Sequence, residues 1–306
     1  MVTVREIDVA DLPRLVVVTN AVRPDDPTSV DELVDWRRQA EDMVWLLVTD
    51  DGADVGAGLG LVGWHSRPGA ATVFVWTMPT ARGRGIGQAL YTELLGWAGT
   101  RGCIEVETSV SDDDPDSLAW ADRRGFREIG RELLVSLDLA SIDLPDMAPP
   151  AGIQILTWAE RPELATGMYE VFLEADPDIP GADDVETPAF ADWLSNDMQG
   201  TSDRPDAGFV ALAGDEVVGY AKLSLPTPPT GVAWHDLTGV KRAWRGRGIA
   251  SALKRAQIRW AKEQGFERLT TMNEERNAPI RHLNRRYGYL PGPGRIMLAT
   301  AISESG

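Results

Sequence analysis

Arg82–Leu90 reads RGRGIGQAL, and Arg245–Leu253 reads RGRGIASAL. Seven of the nine residues coincide, 163 positions apart. The same offset relates Trp97 to Trp260 and Gly125-Phe126 to Gly288-Tyr289. A period this long is no solenoid unit, so each copy reads as a whole domain. The 306 residues also match the length of two ordinary domains. The stretch LDLASIDLPDMAPPAGI (Leu137–Ile153) carries two adjacent prolines and a glycine and reads as the joint. The expected division is an N-terminal domain over 1–140, a linker over 141–151 and a C-terminal domain over 152–306.

One coarse pattern runs through both halves. A short strand (VTVREI; GIQIL) leads into a polar, helical region. Two strands follow across a tight turn, around DDG in the first half and GD in the second, and such pairs mark hairpins. Next comes a strand that ends in the repeated motif (ATVFVWT; AWHDLTGV). The helix after it has apolar residues at helical spacing: Ile86, Ala89, Leu90, Leu94 and Trp97, against Ile249, Ala252, Leu253, Ala256 and Trp260. A strand (CIEVETSV; RLTTMN), a helix ending at Gly125 or Gly288 and a closing strand (ELLVSLDL; RIMLAT) complete each half. The fold class is α/β, an α+β arrangement on a mixed sheet, built twice.

A net charge of −17 argues against bulk attraction to nucleic acid or to an anionic membrane. No stretch approaches ~18 consecutive apolar residues, so no membrane span is expected. LPRLVVVTNAV is short and follows Glu6, Asp8 and Asp11, unlike a secretory signal. Cys103 is the single cysteine, which excludes an intrachain disulfide and fits a reducing cytoplasm. It reads as a small core residue. His65, His235 and His282 are scattered without ligand spacing, so no metal site is expected. Lysine supplies four of the 30 Lys and Arg residues, a bias read as genomic base composition.

The glycine-rich stretch sits between a strand and a helix. Glycine lets a backbone approach a ligand closely. The first N–H groups of a helix are unpaired and carry positive partial charge, so the place suits a pyrophosphate. Arg82, Arg84, Arg245 and Arg247 add local positive charge; the plainer reading is a tight turn with solvated arginines. Neither copy ends in Gly-Lys-Ser/Thr, and neither has G-x-G-x-x-G, so the P-loop and the dinucleotide fingerprint are excluded.

What fits is R-x-x-G-x-G/A: Arg82, Gly85, Gly87, and Arg245, Gly248, Ala250. This resembles the acyl-CoA loop of the GCN5-related N-acetyltransferase (GNAT) superfamily, as do the element order and the closing RRGF and RRYGY. The resemblance covers nearly the whole chain, twice, in a tandem arrangement similar to that of mycothiol synthase. It implies acetyl-CoA as co-substrate in a gap between two splayed strands. The contacts it implies are Val75, Trp76, Thr77, Arg82, Gly83, Arg84, Gly85, Ile86, Gly87 and Gln88 in the first domain. In the second they are Thr238, Gly239, Val240, Arg245, Gly246, Arg247, Gly248, Ile249, Ala250, Ser251 and Asn277. It also implies direct attack by a neutral amine, a carboxylate or water as base, and often a tyrosine four residues before the closing glycine as acid.

The copies are unequal against that pattern. In the second domain Asp236 lies on the strand before the loop. It is the candidate general base, or else a salt-bridged strand carboxylate. Regular alternation places Asp236, Thr238 and Val240 on one face and His235 on the other. Asn277 reads as a helix cap and a CoA contact, with Pro279 in the first turn. Asn284 holds the tyrosine place and cannot act as an acid. In the first domain Val73 matches Asp236, Asp114 replaces the asparagine and Ala121 holds the tyrosine place, so that domain is expected to bind acyl-CoA without catalysis.

The acceptor is expected to be a small-molecule amine. The acidic stretch with Glu174, Asp176, Asp178, Asp183, Asp184 and Glu186 points to a cationic one, or is a solvated loop. An antibiotic or a protein N-terminus changes only the acceptor. Trp64, Trp76 and Trp234 are candidates for an acceptor wall, with core packing as the plainer reading. The expected function is acetyl transfer to a primary amine in the C-terminal domain. The alternative is a non-catalytic acyl-CoA-binding or regulatory protein. Nothing in the sequence indicates an oligomeric state.

Overall fold

The computed structural model describes residues 2–63, 66–143, 146, 148–178, 187–275 and 277–302. Trp64, His65, Asp183, Asp184 and Glu186 therefore lie outside the described residues. Two compact units divide the chain: Met1–Arg131 with Gly294–Gly306, and Glu132–Pro293.

The first unit contains β1 (Val2–Ile7), α1 (Leu12–Val22), α2 (Val30–Gln39), β2 (Ala40–Asp50), β3 (Ala53–Gly63), β4 (Ala70–Thr77), α3 (Ile86–Thr100), β5 (Glu105–Ser111) and α4 (Pro115–Asp122). Strands β1 to β4 pair antiparallel in chain order, and β5 joins β4 in parallel. α1 and α2 cover one face, with Leu12, Leu15 and Leu33 against Trp45, Leu47 and Leu59. α3 covers the other, with Ile86, Leu90 and Leu94 against Val44, Leu46 and Val73. Burial on both faces explains why Met43–Val48 is an unbroken apolar run. Each fully buried leucine contributes ~2–3 kcal/mol. Cys103 is buried, as expected.

β6 (Arg127–Asp138) starts in the first unit and belongs to the second from Glu132 onward. The second unit continues with β7 (Ile153–Thr157), α5 (Ala165–Ala175), α6 (Phe190–Asp197), β8 (Gly208–Ala213), β9 (Glu216–Ser224), β10 (Val232–Val240), α7 (Ile249–Glu263), β11 (Arg268–Glu274), α8 (Ala278–Arg286) and β12 (Leu290–Pro291). Its strand order is β7-β8-β9-β10-β11-β6, with β12 also on β6. α5 and α6 cover one face and α7 the other. The repeat is carried into three dimensions: α3 and α7 each have 15 residues and start 163 apart, and so do the seven-residue strands β5 and β11.

The expected boundaries at 140 and 152 are corrected. The closing strand ELLVSLDL pairs antiparallel with β11 of the second unit, Leu137 opposite Leu269. The last strand, β13 (Arg295–Ala301), pairs with β5 of the first, Ile296 opposite Val110. An alternating apolar pattern specifies a strand and its buried face, but not which sheet edge it completes. The expected linker 141–151 is also part of the second unit. Lys262 donates to the carbonyls of Leu139 and Ile142, and Arg255 donates to that of Ala148 at 2.9 Å. No helix among the described residues is long and apolar enough to cross a membrane.

Candidate active site

Both glycine loops end at a helix start of the same shape. Gly85 caps α3 with φ 80°, and Gly248 caps α7 with φ 83°. This is the left-handed region, which explains glycine at both places. Neither helix has a capping side chain or an acidic residue in its first turn. The first-turn N–H groups therefore lack side-chain acceptors and carry the positive end of a 15-residue helix dipole. Ile86 and Ile249 turn into the core, so only their backbones face the loop.

The four arginines differ. Arg84 pairs with Asp50 in the first unit. In the second, Arg245 pairs with Asp178 at 2.5 Å and donates to the Val240 carbonyl at 2.9 Å. Arg242 joins the same carboxylate, and together the two guanidiniums hold it down near pKa 2. Glu174 accepts the Arg242 N–H at 2.8 Å. These two acids thus face the loop rather than an amine, which corrects the expectation for them. Arg247 lies over the Trp244 ring at 4.6 Å.

In each unit the strand before the loop parts from its parallel neighbour. β4 pairs with β5 only through Ala70, Ala71 and Thr72; β10 pairs with β11 only through Val232, Ala233 and Trp234. Beyond those points the strands diverge and leave a gap that opens toward the glycine loop. β4 stays in regular register with β3. β10 does not: His235 faces Leu223 and Thr238 faces Ala221, so Asp236 and Leu237 form a bulge. A bulge leaves its extra residue outside the ladder and re-aims side chains.

This overturns the expected alternation. Gly239 faces Ala175 and Val171 of α5, whereas Val240 packs in the α7 cluster. Asp236 and Val240 are therefore on opposite faces. The match between Asp236 and Val73 is corrected as well. His235 opposes Leu223 as Val73 opposes Gly60, so Asp236 and Leu237 stand where the first unit has Phe74 alone.

Asp236 is 45% exposed and pairs with Lys222 at 2.9 Å. Lys222 also holds Asp203 at 2.7 Å and donates to the Asp197 carbonyl. Burial pushes the Lys222 ammonium down, but Asp236 and Asp203 outweigh it, and the net direction is up. Burial raises the Asp197 carboxyl to about 6 against the opposing charge of Lys222, with Asp236 and Asp203 adding to the rise. Asp197 ends α6, so three carboxylates and one lysine meet on the α5–α6 side of the gap.

The α7 side is different. His235 is buried, bonded through Nδ1 to Gln257 at 3.0 Å and through Nε2 to the Tyr289 hydroxyl. Burial, then the charge of Lys254, pushes the His235 imidazole well below its ordinary value, so the ring is neutral. Asn284 Nδ2 donates to Asn273 Oδ1 at 2.9 Å. The buried Asn284 Oδ1 and Asn273 Nδ2 have no partner among the described residues. Swapping O and N in both amides still leaves one donor and one acceptor there.

In the first unit Trp120 and Arg124 stand beside the start of α3. Arg124 stacks over Trp120 at 3.6 Å and reaches Gln88, and the Trp120 indole nitrogen is 3.8 Å from where a side chain on Gly87 would begin. Trp76 is core against α1 and α2, stacked on Phe74, and not an acceptor wall. Asp114 caps α4 through the Ser117 N–H at 3.0 Å.

The acetyltransferase (GNAT) family model matches residues 4–126 and again 165–289. The chain belongs to that family. A mycothiol acetyltransferase of Nocardia farcinica is 26% identical over 224 residues, 70% of this chain and 69% of that protein. An L-2,4-diaminobutyric acid acetyltransferase of the same organism is 42% identical over 78 residues, which span only 40% of its length. Among solved structures, a tandem GNAT protein from the clavulanic acid biosynthesis pathway superposes over all of both chains, with TM-score 0.80 and 21% identity. The protein is thus a tandem GNAT N-acetyltransferase, and its family uses acetyl-CoA as co-substrate.

Of the GNAT contacts expected from sequence, the loop residues Gly83 to Gly87 and Gly246 to Ala250 gather at the two helix starts. Thr238 pairs with β9, as Val75 and Thr77 pair with β3. Ser251 meets the Tyr287 hydroxyl at 2.6 Å. Asn277 caps α8, accepting the Ile280 N–H at 3.5 Å. Sequence reasoning missed Asp197, Lys222, Asn273 and Lys254. Nothing in their spacing singles them out, because different elements bring them to the gap.

Proposed function

We propose that acetyl transfer takes place in the C-terminal unit and that the N-terminal unit binds acyl-CoA without turnover. The β10 bulge carries this reading, because it puts Asp236 beside the gap, where β4 has no carboxylate. The pyrophosphate of acetyl-CoA is assigned to the first-turn N–H groups of α7, with Arg247 alongside. The buried Asn273 and Asn284 amides suit the amide-rich pantetheine arm.

The acceptor is a small cationic primary amine. Asp197, Asp203 and Asp236 outnumber Lys222 on the side where it enters, and the name of the diaminobutyric acid relative fits such a substrate. Asp236 meets the ammonium. Asp197, poised at about 6, is suited to hold the proton that the amine gives up before attack. Release of CoA thiol from acetyl-CoA, measured against a panel of amines including 2,4-diaminobutyrate, tests the reading. Activity that survives in both Asp236→Asn and Asp197→Asn would overturn the assignment.

Asn284 at the usual tyrosine place favours a second reading, a protein that binds acyl-CoA without transferring it. That reading expects tight binding and no thiol release with any amine.

A further inference from the structure

All four lysines of the chain lie in the second unit, while arginine supplies every other Lys or Arg position. Three of them have protein partners. Lys222 pairs with Asp203 and Asp236, Lys241 with Glu170 and Glu216, and Lys262 bonds to two carbonyls. Lys254, on α7, is 1% exposed, and among the described residues its amine has no carboxylate or carbonyl partner. The centroid of the Tyr289 ring lies 5.1 Å from it. An unpaired buried cation is destabilising, so structure alone does not account for a lysine there.

Tyr289 fixes where this amine lies. Its hydroxyl meets His235, the first residue of β10 beyond the last pair with β11. Lys254 therefore sits near the apex of the gap on the α7 side, across the sheet from Asp236. The groups nearest its charge are the neutral His235 from β10 and the Tyr289 phenol after α8, and Gln257 of α7 bonds to that His235. In the first unit the equivalent position is Tyr91.

We propose that Lys254 gives the leaving CoA thiolate its proton, a task for which the usual tyrosine place on α8 offers only Asn284. This rests on transfer occurring in the C-terminal unit. The amine nitrogen forms the C–N bond as the C–S bond breaks, and the electron pair of that bond stays on sulfur. One Nζ–H proton passes from Lys254 to sulfur. The proton lost by the amine goes to the carboxylates on the other face. Exchange with solvent resets both sides, so acetyl-CoA and amine become amide and CoA thiol. Burial lowers the Lys254 amine to about 7, below the ~8.5 of an ordinary thiol, so the transfer runs downhill. Arginine at this place could not release a proton.

The test uses the full chain with bound CoA and needs no acceptor. The bound thiol is titrated by its ultraviolet absorbance in wild type and in Lys254→Met. Between about pH 7 and 8, where part of Lys254 is still protonated, more thiolate is expected in wild type than in the variant, since a nearby cation favours thiolate; identical curves would overturn the proposal. With 2,4-diaminobutyrate as probe, Lys254→Met should lower kcat by ~10²-fold with little change in the KM for acetyl-CoA. Lys254→Arg should not restore it; full restoration would mean a charge effect and not proton delivery. A loss in Tyr289→Phe without one in Lys254→Met would name the tyrosine instead. Lys254→Met should also melt higher than wild type, the reverse of a structural lysine. If wild type transfers to no amine while the excess thiolate is still seen, the proposed function fails and the Lys254 contact stands.

Discussion

In the first unit β4 reaches its glycine loop in register with β3, and Phe74 alone occupies the place where β10 carries Asp236 and Leu237. The loops that follow match closely, down to the φ of Gly85 and Gly248 at 80° and 83°. The comparison separates two properties. The helix start proposed to bind the anion needs only a local backbone shape, and nine residues specify that shape twice. The proposed chemistry needs a carboxylate beside the gap, and one extra residue in one strand decides where side chains point. The surroundings diverge accordingly: Trp120 and Arg124 stand beside the first loop where the second unit has Leu283 and Tyr287, and Ala121 and Tyr91 stand where it has Asn284 and Lys254.

The largest effect should come from putting an acid at the helix starts. Gly87 and Ala250 are equivalent, neither needs positive φ, and a side chain on Gly87 meets nothing closer than 3.5 Å. An aspartate there favours the bare helix and repels a pyrophosphate. Ala250→Asp should lower kcat/KM by roughly 10²–10⁴-fold, as expected from two charge-assisted hydrogen bonds at ~1.5–3 kcal/mol each. Gly87→Asp should leave turnover near wild type and remove one of two acetyl-CoA sites counted by calorimetry. The reverse result would swap the roles of the units.

Asp236→Asn comes next, with kcat/KM down by ~10²–10³-fold and the loss shrinking at high pH, where the amine sheds its own proton. Asp197→Asn should remove the acid limb near pH 6 from the kcat/KM profile. An unchanged limb would leave Asp197 without a role.

The pH dependence of stability gives a smaller signal, confined to the second unit. The Lys254 amine is lowered to about 7 when folded, so between that value and its unfolded pKa near ~10.4 the unfolded state binds more protons. Wild-type stability should therefore gain from this group as pH rises from 7 to 10, at up to about 1.4 kcal/mol per pH unit. Denaturant unfolding of Lys254→Met should lack that gain. A constant difference between the two proteins would show that Lys254 does not titrate there.

The smallest effect should be the same in both units. Gly85→Ala and Gly248→Ala each place a Cβ on a left-handed backbone, at ~1–2 kcal/mol. Unequal costs in chemical unfolding would show that one loop is not held in this shape without ligand.

Much of this was legible in order along the chain. Repeats at 163, hairpin turns, helical spacing and the family pattern all depend on residues near one another in sequence. The shape of the two loops was legible for the same reason, as were the caps at Asp114 and Asn277. The α5–α6 side of the site was half legible: Asp236 stood on a recognised strand, but Asp197, 39 positions away, had no local mark. Glu174 and Asp178 misled, because a charge count does not show that Arg242 and Arg245 would claim them.

The sequence by itself determined two domains of one fold, a glycine loop in each and the absence of a carboxylate from β4. Those are matters of period, residue type and backbone preference. Only the tertiary structure decided that the two closing strands complete sheets in different units from the ones their positions suggest, because an apolar alternation fits any edge of matching register. It alone also decided that β10 bulges at Asp236 and that Lys254 lies unpaired beside Tyr289. Ladder register and burial are set by what packs from the other elements, and no stretch of β10 or α7 carries that information within itself.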